Sequence, residues 1–216
     1  MKTITLKDKN YNIGKIVCVG RNYAAHAEEL GNEIPEFPLI FLKPSSALIF
    51  NNQNIVHPTY GNELHHEVEL VLLIGKTVKD ADLETAKNAI AGYTVGLDMT
   101  LRDTQNKLKA KGHPWTLAKC FDTSAVISNF ISTDNYKITL DETIELSVNG
   151  NLKQNSKLNM MLFKPAEIIS FISKSMVLEE GDLIFTGTPE GVNRVIKGDK
   201  ITASIANIAT LNTEII

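Results

Sequence analysis

Residues 66–74 read His-Glu-Val-Glu-Leu-Val-Leu-Leu-Ile, and no other stretch limits the fold as tightly. The branched and apolar residues favour a strand. In a strand, positions i and i+2 point to one face, so Glu67 and Glu69 project side by side. Two adjacent carboxylates on an otherwise apolar strand repel each other and are costly to desolvate. A hard divalent cation removes that cost, and oxygen ligands suit magnesium, manganese or calcium. A third acid, Asp98, follows the apolar run Tyr93-Thr94-Val95-Gly96-Leu97, at the end of what reads as a buried strand. The plainer alternative is a solvated edge for the two glutamates and a helix cap for Asp98; the apolar neighbours favour a metal. The pair His65-His66 makes zinc the second choice behind a hard cation.

Composition fits this reading. The chain has 216 residues, 43% apolar and 22% charged, which suits a soluble α+β domain with a substantial core. A net charge of −3, with no basic run interleaved with aromatics, argues against nucleic acid as a partner. No apolar stretch approaches the roughly 20 residues of a membrane-spanning helix, so no membrane association is expected. Cys18 and Cys120 form no CxxC pair, and Cys18 lies in the apolar run Ile16–Val19. With no signal-peptide pattern at Met1–Asp8, the expected compartment is cytoplasmic.

Short strand-like runs dominate: Ile16–Val19, Leu39–Leu42, Glu67–Ile74, Ala91–Leu97, Ile144–Val148, Leu183–Phe185 and Ile201–Ile205. Asn149-Gly150 predicts a tight hairpin between Ile144–Val148 and Leu152–Gln154, because both turn positions want positive φ. Helices are expected over Asp82–Ile90, Thr100–Lys111 and Lys164–Lys174, the last with Pro165 in its first turn. A short helix over Tyr23–Leu30 would have Asn22 as its N-cap and Gly31 as its stop. The sum is a β-rich α+β fold without regular strand–helix alternation.

Seven motifs then run in order: Val19-Gly20-Arg21-Asn22-Tyr23-Ala24-Ala25-His26, Phe41-Leu42-Lys43-Pro44-Ser45, His65-His66-Glu67-Val68-Glu69-Leu70, Leu97-Asp98-Met99-Thr100-Leu101-Arg102-Asp103, Pro114-Trp115-Thr116-Leu117-Ala118-Lys119, Leu178-Glu179-Glu180-Gly181-Asp182 and Thr186-Gly187-Thr188-Pro189-Glu190-Gly191-Val192. Together they resemble the fumarylacetoacetate hydrolase superfamily, most closely its short acylpyruvase and oxaloacetate decarboxylase members, from Lys15 to about Ile205. The resemblance implies mixed sheets rolled around a central site, Glu67, Glu69 and Asp98 as ligands of Mg2+ (or Mn2+, with Ca2+ a further possibility), and a homodimer. It implies one catalytic domain over 1–216, with 1–14 as a lead segment and 22–31 as a mobile lid helix. Asn193-Arg194 departs from the glycine and proline usual there, which bears on the local turn only.

The resemblance also assigns roles. His26 and Glu29, at i and i+3, can share a helix face and hydrogen-bond. From spacing alone that pair reads as solvent-exposed; the family makes it the water-activating pair of the lid. A carboxylate beside the imidazole is expected to raise its pKa. Lys119, in Leu117-Ala118-Lys119-Cys120-Phe121, is expected to neutralise the acids and bind an oxyanion, with a snorkelling surface lysine as the alternative. Arg21, Tyr23, Arg102, Gln105 and Thr188 are expected to contact substrate, whereas Lys43 reads equally well as structural. The activity implied is Mg2+-dependent cleavage of the C3–C4 bond of an acylpyruvate, a small 2-keto acid. Alternatives are an oxaloacetate decarboxylase or tautomerase, a 2-hydroxyhepta-2,4-diene-1,7-dioate isomerase-type enzyme, and a metal-containing ligand-binding module without turnover.

Overall fold

The acid-bearing strand, Val68–Ile74, lies inside an eight-stranded sheet, and each of its residues is buried. The computed structural model describes residues 2–31 and 33–216. Across the sheet the order is Leu39–Pro44, Lys15–Gly20, Leu183–Phe185, Val68–Ile74, Ile90–Asp98, Ala125–Ile127 and Leu48–Phe50, with Ile131–Ser132 also paired to Ile90–Asp98. Most neighbours are antiparallel; Leu183–Phe185 with Lys15–Gly20, and Ala125–Ile127 with Leu48–Phe50, are parallel. The sheet curls into a half-barrel, giving a strand-rich α+β domain.

Side-chain alternation sorts the sheet's two faces. Val68, Leu70, Leu72 and Ile74 join the larger core with Val95 and Leu97, against Ile144, Leu146, Ile201 and Ile205 of a second, four-stranded sheet. Val71 and Leu73 point the other way, into a smaller core with Ile16, Cys18, Leu183 and Phe185. Glu67 and Glu69 share the parity of Val71 and Leu73, and Asp98 has the opposite parity to Val95 and Leu97. All three acids therefore stand on the same face. A register of Val68 opposite Leu97 and Glu69 opposite Gly96 brings the ends of the two strands together.

Several element boundaries differ from the sequence expectation. The helix expected from Thr100 starts at Arg102, because Thr100–Leu101 pairs with Leu64–His65 as a two-stranded ribbon. The helix expected over Asp82–Ile90 is Leu83–Asn88: the Asp82 carboxylate caps it through the Thr85 N–H at 2.8 Å, and Ile90 already begins a strand. Lys164 is an N-cap rather than a helical residue; its own backbone N–H donates to Glu167, and the helix is Pro165–Ser175. Within residues 1–14, the expected lead segment, Thr3–Leu6 and Lys9–Asn12 pair as a hairpin and send Ile4, Leu6 and Tyr11 into the smaller core.

The hairpin after Val148 turns on Asn149 and Gly150, both at positive φ (51° and 78°), as the dipeptide demands. Its return strand, Asn151–Lys157, packs against Gly191, where φ is +90° and an added Cβ would lie 2.1 Å from the Lys153 carbonyl oxygen. Gly191→Ala should therefore lower stability by about 2 kcal/mol or more, roughly 4–8 °C in melting temperature. Thermal denaturation checks this, and an unchanged midpoint would mean the loop yields freely.

Candidate metal centre and active-site cavity

Glu67, Glu69 and Asp98 are 5%, 2% and 0% exposed, and they converge so that one oxygen from each lies within 4.8 Å of the others. The Asp98 N–H donates to the Glu67 carbonyl at 2.9 Å, which fixes the two strand ends side by side. The donors are oxygens only, buried and anionic, which fits a hard divalent cation. His65 and His66 stay out of the cluster: burial pushes His65 down to about 4, and the Nδ1 of His66 faces Gln154 at 2.9 Å. The donor set is thus not that of a zinc site.

Three buried cations surround the acids. The Lys119 Nζ lies 2.7 Å from Glu67 Oε2 and 2.6 Å from Asp98 Oδ2, while the Arg102 guanidinium grips the other Glu67 oxygen. Lys43, 1% exposed, sits 2.8 Å from Asp98 Oδ1 and 3.0 Å from the Ser124 hydroxyl, and it also donates to the Lys119 carbonyl. That last bond ties Lys43 to the end of the short helix Thr116–Lys119, which carries Lys119.

Glu69 differs from its neighbours. Its one hydrogen bond among the described residues comes from the Gly187 N–H at 2.7 Å, and no cation pairs with it. Burial, then Asp98 and Glu67, push its carboxyl well above the usual range. Glu67 goes the other way: burial would raise it, but Lys119 and Arg102 hold it well below the usual range. Burial alone would lower Lys119, yet Asp98 and Glu67 raise it, so it stays an ammonium. Among the described residues Glu69 is thus the one acid of the three with no cation paired to it, and a bound cation beside it would favour its ionised form.

The helix Ala24–Glu29 covers the site. His26 is 4% exposed and lines the cavity with the three acids, its Nδ1 3.3 Å from Glu29 Oε2. The expected rise in its pKa does not result: burial lowers it and outweighs the raising influence of Glu67 and Glu29. The other Glu29 oxygen accepts from the Gly191 N–H at 3.0 Å, which docks the helix onto the loop after Gly187. Asn22 is not the N-cap; Tyr23 holds that position with no side-chain cap. The Asn22 amide instead donates to the carbonyls of Thr186 (2.7 Å) and Phe163 (2.9 Å) and accepts from the Phe163 N–H (2.7 Å). Gly31, at φ 63°, stops the helix as expected.

Arg21, Arg102, Gln105 and Thr188 line the cavity. Tyr23 does not: it is 2% exposed, packed in the larger core. Gln105 accepts from Arg102 at 2.6 Å. Phe41 and Trp115, which sequence reasoning did not select, form an edge-to-face wall with centroids 5.7 Å apart, and Lys119 lies over the Phe41 ring. The cavity volume is about 40 Å³, room for roughly three waters at about 10–15 Å³ per water position.

Comparison with known proteins agrees with this geometry. The family model described as fumarylacetoacetate (FAA) hydrolase C-terminal matches residues 15–216. A mitochondrial oxaloacetate decarboxylase of Dictyostelium discoideum is 47% identical over 197 residues, covering 91% of this chain and 90% of the relative. The oxaloacetate tautomerase YcgM of Escherichia coli (strain K12) is 43% identical over 196 residues, 90% of each. The crystal structure of fumarylpyruvate hydrolase from Pseudomonas aeruginosa, in complex with Mn2+ and pyruvate, superposes with a TM-score of 0.96 at 36% identity over 100% of this chain and 95% of that one. No helix among the described residues is long and apolar enough to cross a membrane. From Lys15 to its last residue the chain follows one family pattern in sequence and in fold, and it belongs to the fumarylacetoacetate hydrolase family as one of its enzymes.

Proposed function

We propose that this enzyme hydrolyses the C3–C4 bond of acylpyruvates, using Mg2+ held by Glu67, Glu69 and Asp98. The observation that carries the reading is a His26–Glu29 pair closed over the same cavity that gathers the three acids. When bound, the cation supplies Lewis-acid polarisation of the keto and carboxylate oxygens of the 2-keto acid. The protein groups do the rest. His26, neutral because burial lowers its pKa, takes a proton from water that attacks the C4 carbonyl. Glu29 holds the ring and stabilises the imidazolium that forms. Lys119 offers its ammonium to the oxyanion at C4. The C3–C4 bond then breaks, a carboxylic acid leaves, and C3 of the pyruvate fragment is protonated.

The second reading is oxaloacetate tautomerisation or decarboxylation, favoured by the activities of the two relatives named above. It draws on the same cation-holding acids but does not call for water activation. Acetylpyruvate, fumarylpyruvate and oxaloacetate should be assayed side by side with Mg2+, with Mn2+ and with EDTA, following pyruvate. Hydrolysis of the first two that stops in EDTA and returns with Mg2+ is the expected result. Turnover of oxaloacetate alone would favour the second reading, and rates indifferent to EDTA would sink both. The homodimer expectation finds support in the exposed apolar Leu42, Tyr60 and Leu117, and sedimentation of the same preparation tests it. We place the enzyme in the cytoplasm, since two free cysteines suit a reducing compartment.

A further inference from the structure

Gln154 lies on the return strand Asn151–Lys157 of the four-stranded sheet, is 1% exposed and does not line the cavity. Yet every hydrogen-bonding position of its amide is directed at the site's framework. Oε1 accepts from the Val68 N–H at 3.1 Å and faces His66 Nδ1 at 2.9 Å. Nε2 donates to the Pro189 carbonyl at 2.8 Å and to the Thr188 hydroxyl oxygen at 2.9 Å.

Two of these partners admit only one polarity. The Val68 N–H can only donate and the Pro189 carbonyl can only accept, so the amide cannot be turned over without leaving both unpaired in the interior. The orientation of Gln154 is thereby fixed, and two consequences follow. His66 Nδ1 must carry its hydrogen toward Oε1. Thr188 must receive a hydrogen from Nε2, which occupies an acceptor position on its oxygen and leaves its own proton to donate elsewhere. Thr188 is 3% exposed and lines the cavity.

We propose that Gln154 is a positioning residue of the ligand site: it commits the Thr188 hydroxyl to act as a hydrogen-bond donor toward the carboxylate of a bound 2-keto acid. The inference rests on the keto-acid reading above, but it assigns a role to a residue that touches no ligand. It explains why a polar side chain from the other sheet is buried between Val68, which separates Glu67 from Glu69, and the loop that presents Thr188. An apolar residue there would donate nothing to the Thr188 oxygen and so would leave the direction of the hydroxyl proton unset.

The probe is pyruvate, titrated calorimetrically into the full-length protein saturated with Mn2+. Removing a donor to a charged oxygen weakens binding by about tenfold to a hundredfold. Gln154→Leu and Thr188→Val should each show such a loss, with Mn2+ affinity unchanged in both. Because Gln154 acts through Thr188, the double variant should be no weaker than the worse single one. A merely structural Gln154 predicts the opposite, losses that multiply. Should Gln154→Leu not fold, judged by its melting transition, Gln154→Asn withdraws the amide by one methylene and should give the same non-additive loss. Wild-type pyruvate affinity in a folded Gln154 variant, or multiplying losses, would overturn the proposal while leaving the keto-acid reading in place. A wild-type protein that binds Mn2+ but no pyruvate would overturn that reading, and this inference with it.

Discussion

Asp98→Asn should lower turnover by ~10³-fold or more, the scale of losing several kcal/mol of charge stabilisation, and should abolish tight divalent-cation binding. The same change should destabilise the cation-free protein. Asp98 is the acid shared by Lys43 at 2.8 Å and Lys119 at 2.6 Å, and both lysines are buried. Neutralising it leaves Lys43 without a carboxylate partner, and breaking a buried pair in this way costs about 3–5 kcal/mol. Glu69→Gln makes the informative contrast. Among the described residues Glu69 accepts only the Gly187 N–H, and burial with Asp98 and Glu67 beside it shifts it toward the protonated form when no cation is present. A glutamine there resembles the protonated acid, so the cation-free protein should keep its melting temperature while cation binding is lost.

The same asymmetry sets a pH dependence. A carboxyl whose pKa is raised must lose its proton before it can ligate a cation, so binding should release a proton and affinity should rise with pH until Glu69 ionises. Calorimetric titration in buffers of differing ionisation enthalpy measures that release. Loss of cation binding in both variants, with loss of stability only in Asp98→Asn, is the expected pattern. Unchanged cation affinity in Asp98→Asn would remove the acid cluster as the metal site.

How much of this could be read from the sequence follows from the range of the interactions involved. The acid-bearing strand was legible because strand periodicity is local: parity alone put Glu67 and Glu69 on one face, and Asp98 stood at the end of another apolar run. The hairpin at Asn149-Gly150 was legible for the same reason, since its dihedrals are demanded by two adjacent residues. Asn22 was misread because a local capping pattern was overridden by three hydrogen bonds to Phe163 and Thr186, both more than a hundred positions away. Thr100–Leu101 was misread because its strand partner, Leu64–His65, lies far back in the chain. The roles of Gln154 and Lys43 are set by distant partners: Gln154 joins the segment at His66 and Val68 to the one at Thr188 and Pro189, and Lys43 joins Asp98 to Lys119 and Ser124. Polar residues placed by long-range contacts are the part of a site that local pattern does not carry.

Replacing His26 with alanine should reduce acylpyruvate hydrolysis by about 10²–10⁴-fold, the usual contribution of a positioned general base. Cation affinity should stay within a few-fold of the original, since His26 lies outside the set of three acids. Oxaloacetate decarboxylation, which needs no attacking water, should survive better than hydrolysis, and that separation distinguishes a water-activating base from a residue that merely packs the lid. The pH profile gives the sign. Burial holds the imidazole below its ordinary pKa, so its basic form persists to lower pH than in a free histidine. At saturating cation, hydrolysis should hold through neutrality and fall only on acidification, below about pH 6.5. Glu29→Gln removes one of the influences that raise His26, so its acid limb should lie at still lower pH, with a reduced plateau because the ring is no longer held by a carboxylate. A profile that stays flat on acidification, or hydrolysis that survives His26→Ala, would transfer water activation to another group and leave the helix Ala24–Glu29 as a cover only.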